Sequence, residues 1–163
     1  MRDALDLAGL DGCYWVEPGR LLAGPYPHAR ERITRLRNLG VTLFLDLTEP
    51  GEYGSLPYEA ALGDGIRAAR RPMRDFTAPS RGEMREILDL IDSELAGGGV
   101  VYLHCYGGIG RTGTVVGCYL VRHGTQTGVA IETIRRLRAE GGCADRPAPE
   151  SEEQRRLVET WRD

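Results

Sequence analysis

The chain has 163 residues, 41% of them hydrophobic and 28% charged, and a formal net charge of −3. That length suits one domain, spanning 1–163, that can bury roughly 70% of its unfolded surface; the balance excludes a disordered chain and offers no basic footprint for nucleic acid. No apolar run approaches the ~18 residues of a membrane-spanning helix, and all 21 basic residues are arginine, a trait of composition rather than of function.

Two short strands are expected at Cys13–Val16 and Arg20–Gly24, around the turn Glu17-Pro18-Gly19. Ala29–Leu39 carries Ile33 and Leu36 on one face and stops at Gly40, which predicts a helix followed by a buried strand, Val41–Leu45. Thr48–Gly65 holds four glycines and two prolines and reads as an extended surface loop bearing Tyr53 and Tyr58. It either borders a functional pocket or is a plain insertion. A strand near Ile66–Arg70 leads into the proline-bracketed stretch Arg71–Pro79. Ser80 then opens a helix with Glu83 three residues on, a capping box, and Met84, Ile87, Leu88, Ile91 and Leu95 form its apolar stripe until Gly97-Gly98-Gly99. Val100–Leu103 is a strand and Thr114–Val121 a helix apolar around most of its circumference, hence buried. His123 before Gly124 reads as a helix-end residue. Thr127–Glu140 predicts an amphipathic helix using Val129, Ile134 and Leu137, and Ser151–Trp161 a last one. The alternation implies an α/β fold: a single-domain mixed, largely parallel sheet of four to five strands flanked by helices on both faces.

The most informative segment joins the strand at Val100–Leu103 to the helix at Thr114. It reads His104-Cys105-Tyr106-Gly107-Gly108-Ile109-Gly110-Arg111-Thr112-Gly113. A glycine-rich strand-to-helix loop turns backbone N–H groups and the positive helix end into one concavity, which favours a tetrahedral dianion. The same field favours a thiolate at Cys105, the standing nucleophile. Arg111 supplies a planar fork for two phosphoryl oxygens. Tyr106, Gly107, Gly108, Ile109 and Gly110 contribute backbone donors, Thr112 is placed to donate its hydroxyl to the Cys105 sulfur, and His104 to fix the loop through a ring hydrogen bond.

These ten residues resemble the His-Cys-x5-Arg-Thr/Ser signature of cysteine-dependent protein tyrosine and dual-specificity phosphatases. The resemblance implies the cysteine phosphatase fold and a cysteinyl-phosphate intermediate. Leu21–Pro27 is similar to the first parallel strand of compact bacterial and cyclin-dependent-kinase-associated members. Arg71–Pro79 resembles the family's acid loop, which makes Asp75 the general acid and later the base that activates water. Asp46, read as strand-end turn chemistry, and Asp64, read as a loop tip, are its rivals. Pro149–Gln154 looks like the family's glutamine-bearing segment, in which the amide orients the hydrolytic water; Ser151-x-x-Gln154 fits a helix-starting capping box equally well.

The expected substrate is a phosphorylated protein or peptide carrying phosphotyrosine, with phosphoserine and phosphothreonine admitted by a shallow pocket. Phosphoinositides rank lower because Tyr106 and Ile109 cannot neutralise a second phosphate, although Arg70, Arg71 and Arg74 lie near the acid loop. A binding module without turnover needs only Arg111 and the backbone donors. No cofactor, metal, nucleic acid or membrane is expected: Cys13, Cys105, Cys118 and Cys143 have no Cys-x-x-Cys spacing, and three histidines complete no zinc pattern. Met1-Arg2-Asp3 onward lacks the features of a signal peptide, and a thiolate needs reducing conditions, so the cytoplasm is the expected location. Cys118 and Cys143 read as buried thiols or as partners for an oxidised Cys105.

Overall fold

The computed structural model describes residues 5–143 and 145–163; Met1-Arg2-Asp3, where a leader was sought, lies outside them. The strands are β1 (Tyr14–Glu17), β2 (Leu21–Gly24), β3 (Leu43–Asp46), β4 (Arg67–Arg70) and β5 (Val101–His104), and the helices α1 (Arg30–Asn38), α2 (Arg81–Ala96), α3 (Gly110–Arg122), α4 (Thr127–Glu140) and α5 (Glu152–Glu159). They form one sheet in the order β1-β2-β5-β3-β4, in which only β1 runs antiparallel to its neighbour. The expected mixed, largely parallel sheet is therefore the one observed.

The period of two along each strand divides the core. Leu21, Ala23, Leu43, Leu45, Val101 and Leu103 face one side and pack with the apolar stripes of α2 and α3. Leu22, Phe44 and Tyr102 face the other side, where Ile33 and Leu36 of α1 cover them. Continuous Val/Leu/Phe runs are what a parallel sheet buried on both faces requires.

Register places the site. Gly24 and Asp46 both pair with His104, so β2, β3 and β5 end at one level, and Asp46 pairs with Arg70 at the end of β4. The segments after all four strands thus emerge together at the carboxyl edge, where open α/β sheets hold their ligands.

Several expectations shift. α3 begins at Gly110 rather than Thr114, so the glycine loop is shorter and runs straight into the helix. Val129 is exposed, because α4 presents Ala130, Ile134 and Arg138 inward instead. Tyr58, expected on the surface, is buried. The Ser80 capping box forms as read, with Glu83 on the N-cap N–H and the Glu83 N–H on the Ser80 hydroxyl, an arrangement that contributes about 1 kcal/mol. Among the described residues no helix is long and apolar enough to cross a membrane.

Candidate active site

The loop between β5 and α3 closes tightly around Cys105. Its Sγ accepts a hydrogen bond from the Gly108 N–H at 3.2 Å. Gly108 has φ of 72°, and a β-carbon there would lie 2.4 Å from the carbonyl carbon of Gly24. Only glycine satisfies both the left-handed backbone and that approach. The Tyr26 N–H holds the loop from the other side by donating to the Tyr106 carbonyl at 3.0 Å. The expected hydrogen bond from Thr112 to the sulfur is not made: the Thr112 hydroxyl is buried without a partner, and the Gly108 amide is the donor at Cys105.

His104 holds the floor. Its Nδ1 lies 3.0 Å from the Cys105 carbonyl and its Nε2 2.6 Å from the Tyr58 hydroxyl. A carbonyl can only accept, so Nδ1 carries the proton and Nε2 accepts from Tyr58. Burial pushes the His104 pKa down, against the pull of nearby Asp46, which agrees with a neutral ring. Asp46 is no acid: its buried carboxylate accepts from the Thr48 N–H and hydroxyl at 2.8 and 2.6 Å and pairs with Arg70 at 2.9 Å. That pair also removes Arg70 from the set of arginines free to meet substrate. Asp64 lies in the turn before β4, as a loop tip should.

Arg111 sits in the first turn of α3, almost wholly buried. One Nη donates to Glu52 Oε2 at 2.7 Å and to the Met73 carbonyl at 2.9 Å, and the other lies 2.5 Å from Glu52 Oε1. Burial works against the guanidinium charge, but the Glu52 hydrogen bonds and the nearby Cys105 and Asp75 groups outweigh it and raise its pKa. Nε is buried and has no partner. An unsatisfied buried donor costs about 1–3 kcal/mol, and a phosphoryl oxygen on Cys105 would supply the missing acceptor.

Glu52 and the adjacent Tyr53 are site residues that the sequence reading did not assign. Tyr53 adopts φ of 50° between Gly51 and Gly54, both at positive φ, and its hydroxyl donates to Asp75 Oδ2 at 2.7 Å. That hydrogen bond is the first cause raising the Tyr53 pKa. The Tyr53 ring meets Tyr106 edge-on at 5.0 Å. The long loop is therefore no plain insertion; its available signal was an acidic-aromatic pair between two glycines. Glu52→Gln keeps the shape and removes the charge that aligns Arg111. It should lower kcat/KM roughly 10²-fold without loss of the circular dichroism spectrum; unchanged kcat/KM would deny the pair any catalytic weight.

Asp75 lies 3.4 Å from Arg111, and its Oδ1 accepts from the Phe76 N–H at 2.9 Å. The structure thus brings the expected acid to the expected arginine across 36 residues of sequence. The far end of the acid loop is clamped on the start of α5: Ala78 N–H donates to Glu153 Oε1 at 3.1 Å and Gln154 Nε2 to the Thr77 carbonyl at 3.2 Å. Behind the loop, a cleft of about 360 Å3 lined by Arg71, Met73, Arg74 and Ile87 separates it from α2. Gln154 also forms the cap that its spacing allowed: its N–H donates to the Ser151 hydroxyl, while its Oε1 accepts from the N–H groups of Glu150 and Ser151.

The other thiols are buried and free. Burial pushes Cys118 up to about 12 and raises Cys13 and Cys143, which suits inert core groups rather than redox partners.

Cys105 and Arg111 thus face one cradle at the start of α3, at the carboxyl edge of the sheet, which is the arrangement that the resemblance to cysteine-dependent phosphatases implied. Residues 10–159 match the DSP-PTPase phosphatase domain described as PTP-SAK, a Swiss Army Knife protein, and the chain belongs to that family. Among curated relatives, it is 33% identical over 126 residues to the Arabidopsis thaliana phosphatidylglycerophosphate phosphatase PTPMT2, covering 72% of this chain and 52% of that one. It is 31% identical over 137 residues to the mouse dual specificity protein phosphatase CDC14B, covering 76% of this chain and 26% of that one. The chain thus spans between about a quarter and a half of these relatives' lengths. Among solved structures, the active form of Tk-PTP superposes with a TM-score of 0.76 at 28% identity, covering 91% of this chain and 94% of that one. Kinase associated phosphatase, at 19% identity and a TM-score of 0.74 over 90% of each chain, shares the fold.

Proposed function

We propose that this phosphatase hydrolyses phosphomonoesters on proteins, phosphotyrosine first and phosphoserine and phosphothreonine as well, through a cysteinyl-phosphate on Cys105. Arg111 and the backbone of 106–111 bind the phosphoryl oxygens, Asp75 protonates the leaving oxygen, and no metal takes part. The observation that carries this reading is the buried, unpartnered Nε of Arg111 in the cradle that holds the Cys105 sulfur. One oxyanion on the sulfur would complete that donor set, and attack by the same sulfur needs no further group.

The rim supports a protein substrate. Tyr53 and Phe76 are exposed on either side of Asp75, and Tyr106 is half-buried beside Tyr53. Such a rim of uncharged rings packs against an aromatic leaving group. The relation to phosphatidylglycerophosphate phosphatases makes a lipid phosphomonoester the second reading, which the same apolar rim and the exposed Arg74 would also suit. Phosphate release from phosphotyrosine, phosphoserine and phosphothreonine peptides and from phosphatidylglycerophosphate vesicles divides the two. Higher kcat/KM on the tyrosine peptides is the expected result; preference for the vesicles would transfer the assignment to lipid.

A further inference from the structure

A carboxylate that none of these steps uses stands at the edge of the cradle. Glu150 lies just before α5, and its Oε1 is 2.7 Å from the point that a β-carbon on Gly110 would occupy. Gly110 directly precedes Arg111 and begins α3, so this oxygen borders the loop that receives phosphate. The Glu150 backbone is pinned on both sides: its N–H donates to Gln154 Oε1 at 3.1 Å, and its carbonyl accepts from Arg155 Nη1 at 3.1 Å. Its half-buried carboxylate accepts no hydrogen bond and forms no ion pair among the described residues.

Gln154 borders Gly110 too, but its acceptor oxygen is engaged. Its Oε1 takes two backbone N–H groups, and its Nε2 donates to Thr77. A carbonyl oxygen has two lone pairs, and both are engaged. A water aimed at phosphorus needs acceptors for both hydrogens while its lone pair faces the phosphorus. Asp75 offers one acceptor, and Glu150, whose Oε1 lies against Gly110, is an open one.

We infer that Glu150 orients the water of the second chemical step, an inference that rests on the cysteinyl-phosphate reading above. In that step the water oxygen bonds to phosphorus as the P–S bond breaks, and the electron pair returns to the Cys105 sulfur. One water proton passes to the Asp75 carboxylate. Glu150 accepts a hydrogen bond from the other hydrogen and stays unprotonated, and inorganic phosphate leaves. The first step makes no use of Glu150, because the leaving oxygen then occupies the water's place.

The test is rapid-mixing kinetics with p-nitrophenyl phosphate on wild type, Glu150→Gln and Glu150→Ala, with acid quenching to measure phosphate on Cys105. First release of nitrophenol should keep its wild-type rate in both variants. Decay of the phosphoenzyme should slow roughly 10²-fold in Glu150→Ala, so that phosphoenzyme accumulates, and Glu150→Gln should recover part of the rate through its amide oxygen. A structural role alone would slow both phases together. That result, or unchanged decay in Glu150→Ala, would overturn the inference. Turnover that survives Cys105→Ser would instead overturn the cysteinyl-phosphate reading itself, so the two failures are distinguishable.

Discussion

Cys105→Ser is expected to bring hydrolysis of p-nitrophenyl phosphate and of phosphopeptides down by at least about 10⁴-fold while inorganic phosphate still binds. The serine oxygen fits the site, but at neutral pH it is a hydroxyl, and His104 is not free to take its proton: its protonated Nδ1 faces a carbonyl and its Nε2 accepts from Tyr58. A thiol is the better nucleophile near neutral pH, and a serine hydroxyl is a weak one. Binding survives because Arg111 takes its alignment from Glu52 and Met73, not from the sulfur. Calorimetric titration with phosphate, run beside the rate assay, checks both halves. Residual turnover of a few per cent would mean that another nucleophile works in this cradle.

Asp75→Asn is the second large effect, and its size should depend on the leaving group. Asparagine can keep its Oδ1 on the Phe76 N–H and turn its Nδ2 to donate to the Tyr53 hydroxyl oxygen, so the loop keeps its position. What it loses is the proton for the departing oxygen, and general acid catalysis contributes about 10²–10⁴-fold. An alkyl phosphate leaves as a strong base and needs that proton; p-nitrophenolate leaves without much help. The loss should therefore approach the full range for phosphoserine peptides and stay small for p-nitrophenyl phosphate in the first step. Equal losses on both substrates would remove Asp75 from the role of acid.

Residues close in sequence explain why the cradle was legible. Cys105, the glycines and Arg111 share one turn of chain, so spacing alone places them on one concavity. The strand before and the helix after were legible from apolar runs, although the helix start was placed late because Gly110 to Gly113 looks like loop while in space it completes the first turn of α3. Asp75 was legible only through resemblance. Its approach to Arg111 depends on β4 and β5 ending at one level on either side of β3.

Glu52 and Tyr53 were not legible as site residues. Glu52 is 59 residues from Arg111, and Tyr53 is 22 from Asp75. No periodicity links a loop residue to a partner that far away. Tyr58 and Val129 show the same limit in packing: a tyrosine in a glycine-rich loop is buried because His104 awaits its hydroxyl. A valine on an apolar-looking helix face is exposed because that helix turns another face inward.

The amino-acid sequence by itself determined the alternating α/β plan and the glycine loop that carries Cys105 and Arg111 between β5 and α3, because strand period, helix period and one short turn are local properties of the chain. Which carboxylates meet Arg111, which face of Gln154 is occupied and which acceptor remains open at Gly110 were decided only by tertiary structure. Those relations depend on the register of parallel strands and the docking of α5, where groups distant in sequence are brought within hydrogen-bond reach by the packing of everything between them.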